Sequence, residues 1–408
     1  TGPDLVAAFI EGVTSAGVDV INIGLCSTDG LYFASGTLGV PGAMFTASHN
    51  PAEYNGIKLC RAGAAPVGQD SGLAAIRDML ESEHVPTYNG PVGTASSQDM
   101  LADYAAFLRG LVPLEGIRPL KVVIDTGNGM GGFTVPAVLG DQVLPGLPLD
   151  IDPLYFELDG TFPNHEANPI EPENLRDLQA RVREVGADLG LAFDGDADRC
   201  FVVDEKGNIV DPSTLTAMIA VRELAKRPGA TIIHNLITSK SVPEIVAEYG
   251  GTPVRTRVGH SFIKATMAQT GAVFGGEHSG HFYFADFWNA DSGMLAAMHA
   301  LAALGQTPPG TTFSDLCASL VRYVSSGEIN TRVTDARVVI EYIKAQAAGM
   351  AGTRIDELDG LTVAGADWWF NVRPSNTEPL LRLNCEASTL AEMQRVRDDV
   401  LAMMAAAS

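Results

Sequence analysis

Basic residues are scarce in this chain of 408 residues. Lysine and arginine number 27 against 49 aspartates and glutamates, for a formal net charge of −22. That balance argues against a nucleic-acid partner, because phosphate backbones select basic surfaces. It argues against anionic membranes for the same reason. An anionic substrate would therefore need the few cations gathered into one pocket of Lys, Arg, His and metal. Cysteine is equally sparse. Cys26, Cys60, Cys200, Cys317 and Cys385 are scattered, odd in number and never spaced C-x-x-C. This speaks against a disulfide framework or zinc knuckle and for reduced thiols in the cytoplasm. No apolar run reaches the roughly 18 residues of a membrane helix, and no signal-peptide pattern opens the chain. G-x-x-x-x-G-K-[ST] is missing, so no P-loop ATPase is expected.

What is present points to an α/β protein. The length implies roughly two to four domains, and Gly 43 with Pro 23 implies many turns. Short β-branched runs predict strands at 18–24, 56–60, 121–126, 189–193, 200–204, 230–237 and 271–276. Helical patterns fall between them at 71–82, 100–111, 172–186, 214–226 and 293–305. The alternation predicts sheets covered by helices, with parallel strands common. Breaks near 112–119, around Lys206-Gly207-Asn208 and near 325–332 divide the chain into 1–111, 112–207, 208–324 and 325–408. The last piece, with a helix near 335–348, two strand-like runs and a closing helix, reads as a small α+β domain. No repeat is visible as sequence identity. The opening residues TGPDLVAAFIEGVTSAG read as a helix. Such domains usually open with a strand, so an upstream segment is expected to be missing.

Four polar clusters carry the chemistry. TASHNP, Thr46 to Pro51, sets Ser48 beside a histidine in a loop closed by proline, as a phosphoryl carrier or as an ordinary Asn-Pro turn. DGDADR places Asp194, Asp196 and Asp198 two apart, where carboxylates repel unless a cation neutralises them. All-oxygen ligation suits Mg²⁺, and Arg199 could meet a phosphate bridging to it. An EF-hand is the rival, with Glu205 at the twelfth position. But Arg199 stands where that loop needs glycine, and the flanks read as strands. GEHSGH offers Glu277, Ser279 and His281 to sugar hydroxyls, or His278 and His281 to zinc. RPSNTEP offers Arg373, Ser375, Asn376 and Thr377 to a phosphate monoester, or is merely a turn. His260 and Lys264 in TRVGHSFIK, and Lys58 in GIKLC, join these clusters only as neighbours. VVIDTGNGMGG reads G-x-G-x-x-G after a strand, which keeps a dinucleotide-dependent oxidoreductase open against a plain tight turn.

Taken together and in order, the four clusters resemble the α-D-phosphohexomutases, in particular the bacterial phosphomannomutase/phosphoglucomutase branch, over essentially the whole chain. The resemblance implies three related α/β domains plus a C-terminal α+β domain around a central cleft. It implies interconversion of hexose 1-phosphate and hexose 6-phosphate, mannose before glucose, through a phosphoserine and a hexose 1,6-bisphosphate that also serves as activator. Ser48 then matches the phosphoryl carrier and, with Asp194, Asp196 and Asp198, the Mg²⁺ site. Arg199 and Lys58 match cations at the transferring phosphate, with Lys58 also a candidate for proton transfer. His281 matches a group near the reacting hydroxyl. Glu277, Ser279 and His260 match sugar contacts, and Arg373, Ser375, Asn376 and Thr377 the loop for the other phosphate. The partners implied are sugar phosphates, neither nucleic acid nor membrane, for a cytoplasmic monomer or weak homodimer. Asn376 stands where phosphoglucosamine mutases, the near alternative, usually have glycine. A non-catalytic sugar-phosphate binding protein is the other class left open. Three departures stand out. The family's N-terminal segment, with an arginine and an aromatic facing the cleft, has no counterpart. The usual P-T-P reads Ser27-Thr28-Asp29. A cleft lysine of some relatives aligns with Ile237, with Lys240 nearby.

Overall fold

The computed structural model describes residues 2–83, 86–375 and 380–407, without the side chains of Asp70, His260 and Ser261. Two five-stranded sheets dominate the middle of the chain, and they share one topology. The first has Leu120–Asp125 between two parallel neighbours, Leu149–Leu154 and Leu189–Phe193. An antiparallel hairpin then adds Cys200–Asp204, and Ile209–Val210 closes the edge. The second sheet repeats this order with Thr231–Asn235 between Thr252–Thr256 and Phe274–Gly276, then Phe282–Phe284, then Ala290–Asp291. The duplication is invisible as sequence identity because a buried strand requires only β-branched or aromatic residues and a turn at its end. The strands Leu189–Phe193 and Cys200–Asp204 are buried along their whole length, as their unbroken apolar runs predict.

The first part of the chain is built differently. Gly42–Phe45, Ile57–Arg61 and Ala65–Pro66 form an antiparallel sheet, and Val20–Asn22 pairs in parallel with Ala95–Ser97. The predicted opening helix is present at Gly2–Ser15, but none of its residues is buried. The predicted helix over 71–82 shortens to Ala74–Glu81, preceded by a π-helical turn, because Gly72 has φ +159. The helix Thr28–Leu38 escapes the sequence patterns. Gly30, Ser35, Gly36 and Thr37 are poor helix formers, yet Ser27 caps it and Gly39 ends it in the left-handed conformation. Tertiary packing outweighs propensity here: Phe33 and Phe107 gather around Trp288 from the second repeat, with Phe107 stacked on it at 5.2 Å.

One apolar core runs through the chain from Phe33 to Leu320. The last unit has its own core. Val324–Arg332, Leu380–Ala387, Trp368–Pro374, Leu361–Ala364 and Arg354–Asp356 form an antiparallel sheet in that order, covered by Ala336–Ala348 and Leu390–Ala407. Polar contacts join it to the second repeat. Glu386 accepts the Lys240 backbone N–H at 2.9 Å, and Asp359 accepts that of Val258 at 3.2 Å.

The shared topology sets the site. Three of the polar clusters occupy antiparallel hairpins: TASHNP after Phe45, DGDADR after Phe193 and GEHSGH after Gly276. Trp368–Pro374, which carries Arg373 of RPSNTEP, pairs antiparallel with Leu380–Ala387.

Candidate active site

The metal-type loop is a turn rather than a strand face. Ala197 at its centre takes φ +58, and its N–H bonds the Asp194 carbonyl at 3.1 Å. This lets Asp194, Asp196 and Asp198 converge, with one oxygen of each within 4.8 Å of the others. All three carboxylates are buried. Two glycines make the approach feasible. A Cβ on Gly195 would stand 2.1 Å from the Ser48 carbonyl oxygen, and one on Gly129 would stand 2.7 Å from the Gly195 oxygen. Within the glycine motif of 127–132, Gly129 packs against the aspartate loop and Gly132 against the Phe156 backbone, and Pro136 lies inside the helix that follows. The dinucleotide expectation ends there.

Ser48 sits at φ +55, stabilised by its N–H bond to Thr46 Oγ1 at 2.8 Å. Its hydroxyl donates to Asp194 Oδ2 at 3.1 Å and lies 3.2 Å from His49 Nδ1. Arg199 donates through Nε to the same Asp194 oxygen at 2.8 Å and reaches His49 Nδ1 at 2.7 Å. That contact makes His49 Nδ1 an acceptor, so the ring proton belongs on Nε2. Burial, then the Arg199 charge, lowers the His49 pKa. Lys58, on Ile57–Arg61, places Nζ 2.7 Å from both Asp196 Oδ2 and Asp198 Oδ2.

The electrostatics follow from this packing. Burial raises Asp194, but Arg199 outweighs it and brings the pKa down to about 2. Asp198 is pushed up to about 7, first by burial and then by Asp196 and Asp194. Burial works against the Lys58 charge, but Asp198 and Asp196 more than offset it and hold the ammonium protonated. Among the described residues, the Oδ1 atoms of Asp196 and Asp198 are buried without a hydrogen-bond partner. Two orphaned anionic oxygens in a shell of three carboxylates are a donor set that fits a hard divalent cation.

The GEHSGH hairpin contributes His281, whose Nδ1 lies 3.0 Å from Asp291 Oδ2 and 3.8 Å from Asp198 Oδ1. Burial lowers its pKa, yet Asp198, Asp291 and Glu277 raise it to about 9. Lys264 is buried against the other face of Asp291 at 2.7 Å. The zinc alternative finds no support: among the described residues no cluster of metal-ligating groups contains His278, which lines a cavity of about 190 Å³ with Pro212 and Phe201. Glu277 accepts the Gly259 N–H at 3.1 Å, the Tyr283 hydroxyl at 2.9 Å and the Ser279 hydroxyl at 3.4 Å. The EF-hand reading fails as well, since Glu205 accepts from Ser314 on the next unit.

In the last hairpin Arg373 donates to Asn384 Oδ1 at 2.8 Å and Glu328 Oε2 at 2.6 Å. Arg382, which the sequence reading left out, lies 3.4 Å from the Ser375 hydroxyl. Asn376 and Thr377 lie outside the described residues, as does the His260 side chain. The sequence also missed Thr28, which donates to Asp196 Oδ2 at 2.7 Å, Asn168, which accepts from Arg199 at 3.2 Å, and Asp291. Thr28 had a signal, because it stands in the segment aligned with P-T-P. Asn168 and Asp291 had none, being single polar residues in unremarkable sequence.

A serine hydroxyl hydrogen-bonded to an aspartate shell, flanked by Arg199 and Lys58 on an α/β scaffold, is a constellation suited to phosphoryl transfer. Comparison with known proteins agrees. The chain matches the phosphoglucomutase/phosphomannomutase alpha/beta/alpha domains I, II and III over residues 1–85, 102–207 and 211–323, and the C-terminal domain over 328–403. It is 40% identical over 391 residues to a phosphomannomutase of Salmonella typhimurium, covering 95% of this chain and 85% of the relative. It is 37% identical over 401 residues to a phosphomannomutase/phosphoglucomutase of Pseudomonas syringae, covering 97% and 83%. Among solved structures, a phosphoglucomutase/phosphomannomutase family protein of Burkholderia thailandensis superposes with a TM-score of 0.86 at 33% identity, covering 99% of this chain and 86% of that one. The chain belongs to the phosphoglucomutase/phosphomannomutase family. It is an isomerase of the phosphomutase type that interconverts hexose phosphates.

Proposed function

We propose that the enzyme interconverts hexose 1-phosphates and hexose 6-phosphates, mannose in preference to glucose, through phosphorylated Ser48 and a hexose 1,6-bisphosphate. The observation that carries this reading is the contact of the Ser48 hydroxyl with Asp194 beside Arg199. In the first half-reaction the P–Oγ bond of phosphoserine breaks and a P–O bond to the free sugar hydroxyl forms. The hydroxyl proton leaves the sugar, and a proton ends on Ser48 Oγ. The bisphosphate then reorients and returns its other phosphoryl to Ser48 by the reverse exchange.

Asp194, Asp196, Asp198 and a phosphoserine oxygen would hold Mg²⁺, which when bound supplies divalent charge to the transferring group. The buried, partnerless Oδ1 atoms of Asp196 and Asp198 support that assignment. Arg199 and Lys58 add fixed positive charge where the phosphoryl oxygens pass. His281, held by Asp291, and Lys58 both rest protonated and are the groups placed to exchange a proton at the site. Glu277 and Ser279 would read sugar hydroxyls with lone pairs left free by the bonds they already make, and His260 would complete that contact. Arg373, Ser375, Asn376 and Thr377 would keep the other phosphate in place. The reading assigns the four domains to 1–111, 112–207, 208–324 and 325–408, and the protein to the cytoplasm as a monomer or weak homodimer. Among the described residues no helix is long and apolar enough to cross a membrane.

The test is conversion of mannose 1-phosphate and glucose 1-phosphate to their 6-phosphates with Mg²⁺ and a trace of hexose 1,6-bisphosphate. Turnover lost with chelator and restored by Mg²⁺ is the expected result. Turnover unaffected by chelator would overturn the metal assignment, and faster glucose conversion would overturn the sugar preference.

A further inference from the structure

Asp29 is a buried carboxylate that the chemistry above does not use. It stands in the first turn of Thr28–Leu38, one residue past the threonine that bonds Asp196. Three hydroxyls, rather than a cation, stand against it. Ser27 donates to Oδ1, while Tyr104 donates to Oδ2 at 2.9 Å and Ser292 at 2.6 Å. Both serines are helix caps. Ser27 accepts the Gly30 N–H at the head of Thr28–Leu38, and Ser292 accepts the Leu295 N–H at the head of Gly293–Gly305. Two helix N-termini from separate sheet units therefore meet at one carboxylate, where their aligned N–H dipoles favour negative charge. Next in the chain, Thr28 is held to the aspartate loop twice, by its hydroxyl and by its N–H on the Asp196 carbonyl at 3.0 Å.

We propose that Asp29 is a positioning residue for the metal shell: it clamps the Ser27 and Ser292 helix heads together and thereby fixes Thr28 against Asp196. A free Asp196 carboxylate could rotate away from Asp194 and Asp198. Oδ2 takes the Thr28 hydroxyl together with Lys58 at 2.7 Å and Thr46 at 3.3 Å, which leaves Oδ1 buried without a hydrogen-bond partner among the described residues. Groups that orient a metal ligand in this way typically contribute about 10–100-fold to metal affinity. Asp29 acts one bond further out, so about 3–10-fold is expected of it. The inference rests on the aspartates being the metal site.

The experiment is equilibrium binding of Mn²⁺, followed by electron paramagnetic resonance, to the full chain and to Asp29→Ala, Thr28→Ala, the double variant, Tyr104→Phe and Ser292→Ala. Asp29→Ala should weaken Mn²⁺ about 3–10-fold. It should add little once Thr28 is already alanine, because both changes break one chain of contacts. Tyr104→Phe and Ser292→Ala each remove a single hydroxyl and keep the test open if Asp29→Ala does not fold; each should weaken Mn²⁺ in the same direction by a smaller factor. Mn²⁺ affinity unchanged in these variants while thermal stability falls would leave Asp29 a purely structural residue and overturn the proposal. Full additivity with Thr28→Ala would overturn the route through Thr28. Failure of the unaltered protein to bind Mn²⁺ would instead sink the metal assignment itself.

Discussion

Lys58 Nζ lies 2.7 Å from Asp196 Oδ2, joining residues 138 positions apart in the chain. The same ammonium reaches Asp198 at the same distance, so it neutralises the pair a divalent cation would also neutralise. Two consequences separate its roles. Lys58→Ala should lower turnover about 10²–10³-fold, the usual effect of removing one charge aimed at a transition state. It should not weaken Mg²⁺ binding, because the variant removes a competing positive charge from the same two carboxylates. Turnover and a Mg²⁺ titration measured on one preparation check both. Metal affinity falling together with the rate would show that Lys58 organises the shell rather than the phosphoryl group.

Ser48→Ala should abolish turnover and leave sugar-phosphate binding measurable by calorimetry. The hydroxyl makes a single donated bond, to Asp194, so its loss leaves Arg199 still pairing that carboxylate. Incubation with labelled hexose 1,6-bisphosphate should label the native chain and not the variant. Label retained on the alanine protein would place the carrier elsewhere.

Gly195→Ala tests the approach of two hairpins. The added methyl would meet the Ser48 carbonyl at 2.1 Å, so one loop must give way. Displacements near 1 Å in an active site can cost about 10²-fold in rate. A rate loss of that order is expected with little change in far-ultraviolet circular dichroism. Native turnover in Gly195→Ala would mean that the loops are not held in this register during catalysis.

Stability should fall on the acid side for a reason lying outside the site. His234 is buried in Thr231–Asn235, and burial first, with the Arg255 charge adding, lowers its pKa to about 4 against a bond to the Asn235 carbonyl. A lowered folded-state pKa means that the unfolded chain takes up this proton first. The contribution is present above pH 6.5 and is lost as pH falls toward 4. By pH 5 the loss amounts to about 2 kcal/mol. His299, buried and lowered in the same direction, adds to it. Denaturant unfolding at pH 7 and pH 5 should show a smaller difference for His234→Gln than for the native chain. An equal difference in both proteins would place the acid sensitivity elsewhere.

Much of the reaction class was legible in the residues. Ser48, the three aspartates, Lys58 and Arg199 stand in short polar clusters, and the structure brings all of them together. Elements with strong local signals were legible too. Gly293–Gly305 follows the predicted 293–305, and Leu189–Phe193 and Cys200–Asp204 follow their apolar runs. Thr28–Leu38 was not legible, because contacts with Trp288 hold it rather than its own propensity. The short strands around TASHNP were only partly so: Ile57–Arg61 followed its run, Gly42–Phe45 did not.

The sequence by itself determined which atoms are available for chemistry: a serine, three carboxylates and two cations, in an acidic α/β chain with few other cations to offer. A side chain's chemistry is local, and so it can be read residue by residue. Only the tertiary structure decided where those atoms meet. It placed three chemical loops on antiparallel hairpins, two of them in sheets of the same topology, turned the glycine motif into packing, and put Asp29 where two helix caps share one carboxylate. Such relations depend on distances between residues from tens to hundreds of positions apart, and those are set by the packing of sheets and helices, which no short stretch of sequence contains.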